Sequence, residues 1–481
     1  MTYEVVVVGG GIGGLTVAAL LAKRGLKVCL LERQSEVGGC ISAVQHHGLT
    51  FEPGFGIYSG WEPGEVFDRV FTELGGTRPE VTLLPDDVVI RFRGQDIALK
   101  KDASFYDELR RALPDCAEKS IEFYLTVEKL AGELKQLSAA GPVGAKSILS
   151  RALSLVRSKS DESEQLVQAR RTSCTSYLKG TSEQFVSFID AQLRLFLQTP
   201  VEDCSFATAC VVLNRLRENL YSFVGGPSAL TDCLSAALKS SGGTLKLNTP
   251  VLRLAYGDDG GAIGVDLLSG ERVIATRAII SNMTVWDTYG KLVGLNRTPP
   301  EVKQHLNSLV SSGVYQVFAS LEKTALARLP AQRMLVVGDQ PGDEFFVSTM
   351  GSADERNTRV TFTKLTEVDD WFSFQQDEDD AEGRDQAALE AFWSKLHQSM
   401  PEFGSDLEVL ETATPKTYYE QTRRKLGFVL GYRQPSRVEP KAYAPVIPNL
   451  FMIGDTTGDG HPSLDSIALS ALQLANTLQP K

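Results

Sequence analysis

The chain contains no run of eighteen apolar residues, so no stretch of it is long enough to cross a membrane as a helix. Its seven cysteines (positions 29, 40, 116, 174, 204, 210 and 233) are odd in number and form no C-x-x-C pair. This spacing argues against a disulfide framework and a zinc site; reduced thiols, no metal and a cytoplasmic location are expected. Positive charge is short: 49 Lys and Arg against 60 Asp and Glu leave a net charge of -11. Such a surface repels a phosphate backbone, which excludes nucleic acid as a partner. No internal repeat is visible, and a strand-like run starting at Tyr3 leaves no room for a signal or transit peptide. What remains is 481 residues, 42% of them hydrophobic, with a mean hydropathy of -0.10, enough for two domains and a large core.

The first forty residues say the most. Val5, Val6, Val7 and Val8 form a continuous β-branched run, as in a strand buried on both faces of a parallel sheet. Gly9, Gly11 and Gly14 then fit G-x-G-x-x-G, with Ile12 and Gly13 between them. The first glycine permits the tight turn, the second lets backbone approach a pyrophosphate, and the third lets helix and strand pack closely. Leu15, Ala18, Ala19 and Ala22 share one helical face, Gly25 ends the helix, and a second apolar run reaches Leu31. Glu32 follows, eighteen positions after Gly14, where a carboxylate accepts both ribose hydroxyls and disfavours a 2'-phosphate. The helix N-terminus points at the phosphates. This unit alone accommodates NAD or FAD.

Its continuation, Glu32-Arg33 followed by Gly38, Gly39, Cys40, Ile41 and Ser42, resembles the E-R-x(4)-G-G-x-x-S extension of flavoproteins with two dinucleotide-binding motifs. That resemblance implies FAD. The loop from Phe51 to Gly56, with Gly54 and Phe55, is similar to the flavin-facing loop of the same superfamily. Cys40 is the cysteine placed nearest the flavin, and no cation near it in sequence would activate it. Gly225-Gly226 leading into a helix and a strand from Thr244 to Leu254 resembles the segment whose valine backbone holds the adenine, here Val251. Residues 278–282, ending in Asn282, resemble the return to the cofactor domain. No second G-x-G-x-x-G appears, so no separate NAD(P)H site is expected.

Residues 104–220 turn helical, with apolar spacing of three and four through 105–113, 121–137 and 185–197. Residues 144–159 include a basic amphipathic stretch, with Ile148, Leu149, Ala152, Leu153 and Val156 on one face. It reads as a helix packed on its own domain, with peripheral contact to a membrane as the alternative. Between 298 and 414 the alternating runs 314–321, 334–337, 345–350 and 359–365 predict an antiparallel sheet, and the acidic stretch 369–385 reads as a solvated loop.

Near the end, a short apolar run closing in Gly454-Asp455 and a helix from Ser463, with Leu464, Asp465 and Ile467 in its first turns, resemble the superfamily's final FAD motif. There the aspartate accepts a ribityl hydroxyl and the helix end faces the flavin. The turn before it, with His461, departs from the carotenoid enzymes. His461 is the sole candidate acid or base, and it has no partner visible in sequence.

Taken together, residues 5–42, 51–56, 223–254, 278–282, 366–371, 412–431 and 449–475 resemble the phytoene desaturase and carotenoid isomerase-like branch of the FAD-dependent amine oxidase superfamily. The resemblance implies an α/β protein: a Rossmann-like FAD-binding domain in three pieces (1–90, 220–290, 425–481) interrupted by a helical part (91–219) and an α+β substrate part on an antiparallel sheet (291–424). It also implies an FAD-dependent desaturase, saturase or isomerase acting on C–C or C=C bonds of a hydrophobic small molecule such as a carotenoid. Phe185, Phe188, Phe196 and Leu220 suit either an apolar tunnel or plain core. A flavin amine oxidase and a prenyl-lipid escort protein are the alternatives.

Overall fold

The valine run becomes the strand Thr2–Val8, the centre of a seven-stranded sheet. It pairs in parallel with Val28–Leu31 on one side and Arg272–Ser281 on the other. Burial on both faces explains why the sequence does not alternate there. The computed structural model describes residues 1–42, 44–46, 49–140, 163–352, 356–372, 378–433, 447–457 and 463–479. Thr244–Lys246 extends the parallel sheet beyond Val28–Leu31. On the far side, Arg272–Ser281 carries Ala262–Leu267 antiparallel along its first half and Leu450–Met452 parallel along its second. Helices Ile12–Lys23, Val66–Leu74, Ser228–Ser240 and Leu464–Thr477 share one core with that sheet.

The expected single strand at 244–254 is two. Lys246 ends the parallel strand, Asn248 takes a left-handed φ of +51°, and Val251–Tyr256 starts an antiparallel arm with Ala262–Leu267. The break puts Thr249 and Val251 at the carboxyl ends of the parallel strands, where α/β sheets hold ligands.

A second seven-stranded sheet runs in the order Leu407–Ala413, Gly313–Glu322, Asn357–Thr366, Phe345–Ser352, Arg333–Val336, Val89–Phe92 and Gln95–Ala98. All its pairings are antiparallel except that of Arg333–Val336 with Val89–Phe92. Strand residues alternate between two cores, as a period of two requires: Met334, Val336, Phe345 and Val347 face the helix Glu378–Ser399, while Leu335 and Phe346 face the helical part. That helix begins inside the acidic stretch read as a loop, so 378–385 is helical rather than coil. Its charges precede the apolar residues Phe392 and Leu396 that anchor it.

The helical part comprises Ser104–Ala112, Ala117–Ala140, Glu164–Arg171, Glu183–Leu197 and Phe206–Arg215. Ser163, Ser182 and Ser205 each accept a backbone N–H in the first turn of the helix that follows, which fixes where those helices begin. Among the described residues no helix is long and apolar enough to cross a membrane. The basic stretch at 144–159, and the membrane contact considered for it, lies outside the described residues, as does His461.

Candidate functional site

The glycine turn is built by steric necessity. A Cβ on Gly14 would lie 2.1 Å from Gly9 O, so the helix can pack this closely on the turn only without a side chain there. A Cβ on Gly13 would meet the Asn282 and Ile467 side chains at 2.8 and 3.1 Å. The Asn282 amide, turned so that its oxygen faces the loop, accepts from Gly11 N and Gly14 N at 3.2 Å each. Asn282 therefore braces the turn from behind while also reaching the cavity wall.

Above the turn lies a cavity of about 680 Å³, within the size range of small-molecule and cofactor sites. Gly9, Gly11, Ile12, Gly13, Glu32, Arg33, Gly38, Gly39, Cys40, Ile41, Ser42, Gly54, Phe55, Val251, Asn282, Gly454, Asp455, Ser463, Leu464, Asp465 and Ile467 all line it. Gly14 does not; it serves the packing behind the wall. One cavity thus joins the first glycine turn, the adenine-end candidates and the N-terminus of the last helix, which lie far apart in the chain.

Glu32 is held by two backbone groups: Gly10 N donates to Oε2 and Gln34 N to Oε1, both at 2.7 Å. Each oxygen keeps acceptor capacity for a vicinal diol. Arg33 donates to Gln421 O at 3.0 Å, tying the wall at 421–424 to the end of the second strand. At the other end, Asp455 Oδ2 accepts from Arg424 Nη2 at 2.5 Å and from Gly431 N at 3.2 Å. No hydrogen bond to its Oδ1 is made among the described residues, which leaves that oxygen acceptor capacity for a ligand hydroxyl. Asp465, in the first turn of the last helix, pairs with Arg215 at 2.9 Å. Asp287 pairs with Lys291 at 2.8 Å and accepts from Thr284 Oγ1 at 2.6 Å.

Sequence placed no cation near Cys40; the fold brings Arg424 against it. Burial nevertheless dominates and pushes the thiol up, with the guanidinium pulling in the opposite direction. Of the four tunnel candidates, Phe196 lines the cavity, whereas Phe185, Phe188 and Leu220 belong to the helical core and do not reach it. Phe55, Phe196 and Phe346 form a ring triangle with centroid separations of 4.8, 5.4 and 5.7 Å, closing one side of the apolar end. Val212, Leu216, Val314 and Leu430 complete that end.

The second sheet fixes the loop at 54–56. Thr363 Oγ1 and Gln316 Nε2 both donate to Gly54 O, at 2.9 and 3.2 Å, while Tyr418 donates to the Gln316 carbonyl. Arg333 Nε donates to Gly56 O at 2.9 Å. Thr363, Tyr418, Arg215, Lys291 and Arg424 line the cavity without a motif in the sequence that marks them as site residues. Arg424 and Tyr418 fall within the 412–431 resemblance, but nothing there told which side chains would face the cavity.

A family model described as flavin containing amine oxidoreductase matches residues 12–466. A chloroplastic prolycopene isomerase of Daucus carota is 23% identical over 502 residues, covering 98% of this chain and 79% of that protein. An all-trans-retinol 13,14-reductase of Danio rerio is 27% identical over 349 residues, covering 67% of this chain and 54% of that protein. A redesigned variant of putrescine oxidase superposes with a TM-score of 0.68 at 16% identity, covering 99% of both chains, a likeness of fold.

Proposed function

Because the chain belongs to the flavin-containing amine oxidoreductase family, we propose that this flavin-dependent oxidoreductase carries FAD and acts on the double bonds of a long, uncharged polyene. The reaction is desaturation, saturation or cis–trans isomerisation. When bound, the flavin supplies electron or hydride exchange at its ring. The chain's own residues bind and orient. Glu32 takes the ribose hydroxyls, the first turn of Ile12–Lys23 faces the pyrophosphate, Asp455 Oδ1 takes a ribityl hydroxyl, and the start of Leu464–Thr477 directs its N–H groups toward the ring.

The observation that carries the substrate class is the state of charge on the wall. Asp287, Asp455 and Asp465 are already matched by Lys291, Arg424 and Arg215, and Glu32 by two backbone N–H groups. The far end is lined by Phe55, Phe196, Val212, Leu216, Val314 and Leu430. A cationic amine entering there would leave its charge unpaired, whereas a polyene gains by leaving water. The similarity to a prolycopene isomerase and a retinol reductase supports the same class.

The test is anaerobic incubation of flavin-loaded protein, oxidised and dithionite-reduced, with a polyene panel read by HPLC, beside an aerobic amine panel read for hydrogen peroxide. Conversion of a polyene without peroxide from any amine is expected. Peroxide from an amine, with every polyene unchanged, would establish the amine oxidase alternative instead.

A further inference from the structure

Gln198 follows the helix Glu183–Leu197 and caps it in the left-handed region, at φ +57°, with its N–H donating to Arg194 O at 2.9 Å. This turn sends its carboxamide inward, where three chain segments meet and only 3% of the residue remains exposed. Nε2 donates to Val429 O at 3.1 Å and to Leu430 O at 2.8 Å. Oε1 accepts from Ser312 N at 2.6 Å. Ser311 Oγ, 3.4 Å from the same oxygen, donates to Gly431 O at 2.8 Å, and Arg433 N donates to Val310 O at 2.8 Å. One amide therefore stitches 310–312 to 429–431 and both to the helical part.

Each stitched segment supplies apolar wall to the cavity: Phe196 two residues before the amide, Val314 two after Ser312, and Val429 with Leu430 directly bonded. Leu430 sits at φ +62°, a conformation a leucine does not hold by preference. The Gln198 amide holds the carbonyls of Val429 and Leu430 on either side of that strained φ, beside the bonds that Gly431 makes to Asp455 and Ser311. An apolar residue cannot take over, because it leaves two buried carbonyls and an N–H unpaired.

We propose that Gln198 is a positioning residue that locks Leu430 and so sets the width of the apolar end, selecting between straight and bent polyenes. This rests on the polyene reading above. The fixed wall admits one chain geometry better than another because a rigid apolar surface discriminates by shape.

The experiment uses the full, flavin-loaded chain carrying Gln198→Leu or Gln198→Glu. Hydrogen exchange of the amides at 426–431 is measured, together with the dissociation constants of all-trans-retinol and 13-cis-retinol, followed by protein fluorescence. For Gln198→Leu, unchanged flavin content is expected with exchange about tenfold faster and the ratio of the two constants moved about tenfold toward unity. For Gln198→Glu, the neutral carboxyl donates one hydrogen bond and the ionised one donates none. Discrimination should then be weaker than in wild type throughout and fall further as pH rises and the carboxyl ionises. If the leucine variant does not fold, that pH comparison decides. Unchanged exchange and an unchanged ratio in a flavin-loaded leucine variant would overturn the proposal. Wild-type protein that binds neither retinol and converts no member of the polyene panel removes the polyene reading, and exchange at 426–431 then decides the role of Gln198 alone.

Discussion

Replacing Arg424 by methionine removes the cation from a pair that sits inside the cavity wall. Its Nη2 lies 2.5 Å from Asp455 Oδ2, its Nε donates to Phe428 O at 2.6 Å, and the two side chains keep 16% and 14% exposure. Breaking a buried pair by deleting one partner costs about 3–5 kcal/mol, mostly because the other charge is left without compensation. Residual exposure, and the N–H that Gly431 gives to the same oxygen, place Arg424→Met at the lower end, about 3 kcal/mol. Removing both charges in Arg424→Met/Asp455→Asn leaves no orphan charge and should recover roughly half of that loss. Urea unfolding of the apo-protein, followed by tryptophan fluorescence for the two single variants, the double variant and wild type, gives the cycle. A loss below about 1 kcal/mol in the single variant, or a double variant no more stable than Arg424→Met, would refute the reasoning.

Gly14→Ala forces a Cβ to within 2.1 Å of Gly9 O. The helix must back away from the turn, and flavin affinity should fall by roughly 5- to 150-fold, the equivalent of about 1–3 kcal/mol of overpacking. Titration of the apo-protein reads this, and wild-type affinity would contradict it. Glu32→Ala deprives Gly10 N and Gln34 N of their acceptor and removes the carboxylate proposed to hold the ribose diol; a dissociation constant raised about 10- to 100-fold is expected in the same titration. Glu52 is buried, and desolvation raises its carboxyl above the usual 4.5, with Arg333 and Arg359 opposing. The folded state therefore holds that proton more tightly than the unfolded chain. The contribution of Glu52 is present in full below 4.5 and is lost as pH rises through the raised value. Relative to Glu52→Gln, wild type should lose stability in urea midpoints as pH rises above about 4.5; a difference that grows in wild type's favour as pH rises would contradict the sign.

What could be read from sequence was local chemistry with a fixed period. The Val5–Val8 run, the spacing of Gly9, Gly11 and Gly14, and the position of Glu32 each act within a few residues or one βαβ unit, so the order of residues carries the geometry. The strands at 313–322 and 357–366 were legible for the same reason, because alternation is a property of the strand itself. The pairings Arg424–Asp455 and Arg215–Asp465 were not, since each joins segments whose meeting depends on how the helical part and second sheet dock. The same docking decided that Phe196 reaches the cavity while Phe185 and Phe188, on the same helix, are packed away from it. Residues 244–254 misled because the apolar pattern runs through the break at Asn248, where backbone conformation, not hydrophobicity, ends one strand and begins the next.

The central claim is that one dinucleotide lies between the glycine turn at the start of the chain and the helix at its end. Its most direct test is chromatography of the chromophore released on denaturing the purified protein, after reconstitution with excess FAD and removal of unbound material. FAD at one molecule per chain is the predicted result; a protein that retains no chromophore, or that selects FMN over FAD, would contradict it.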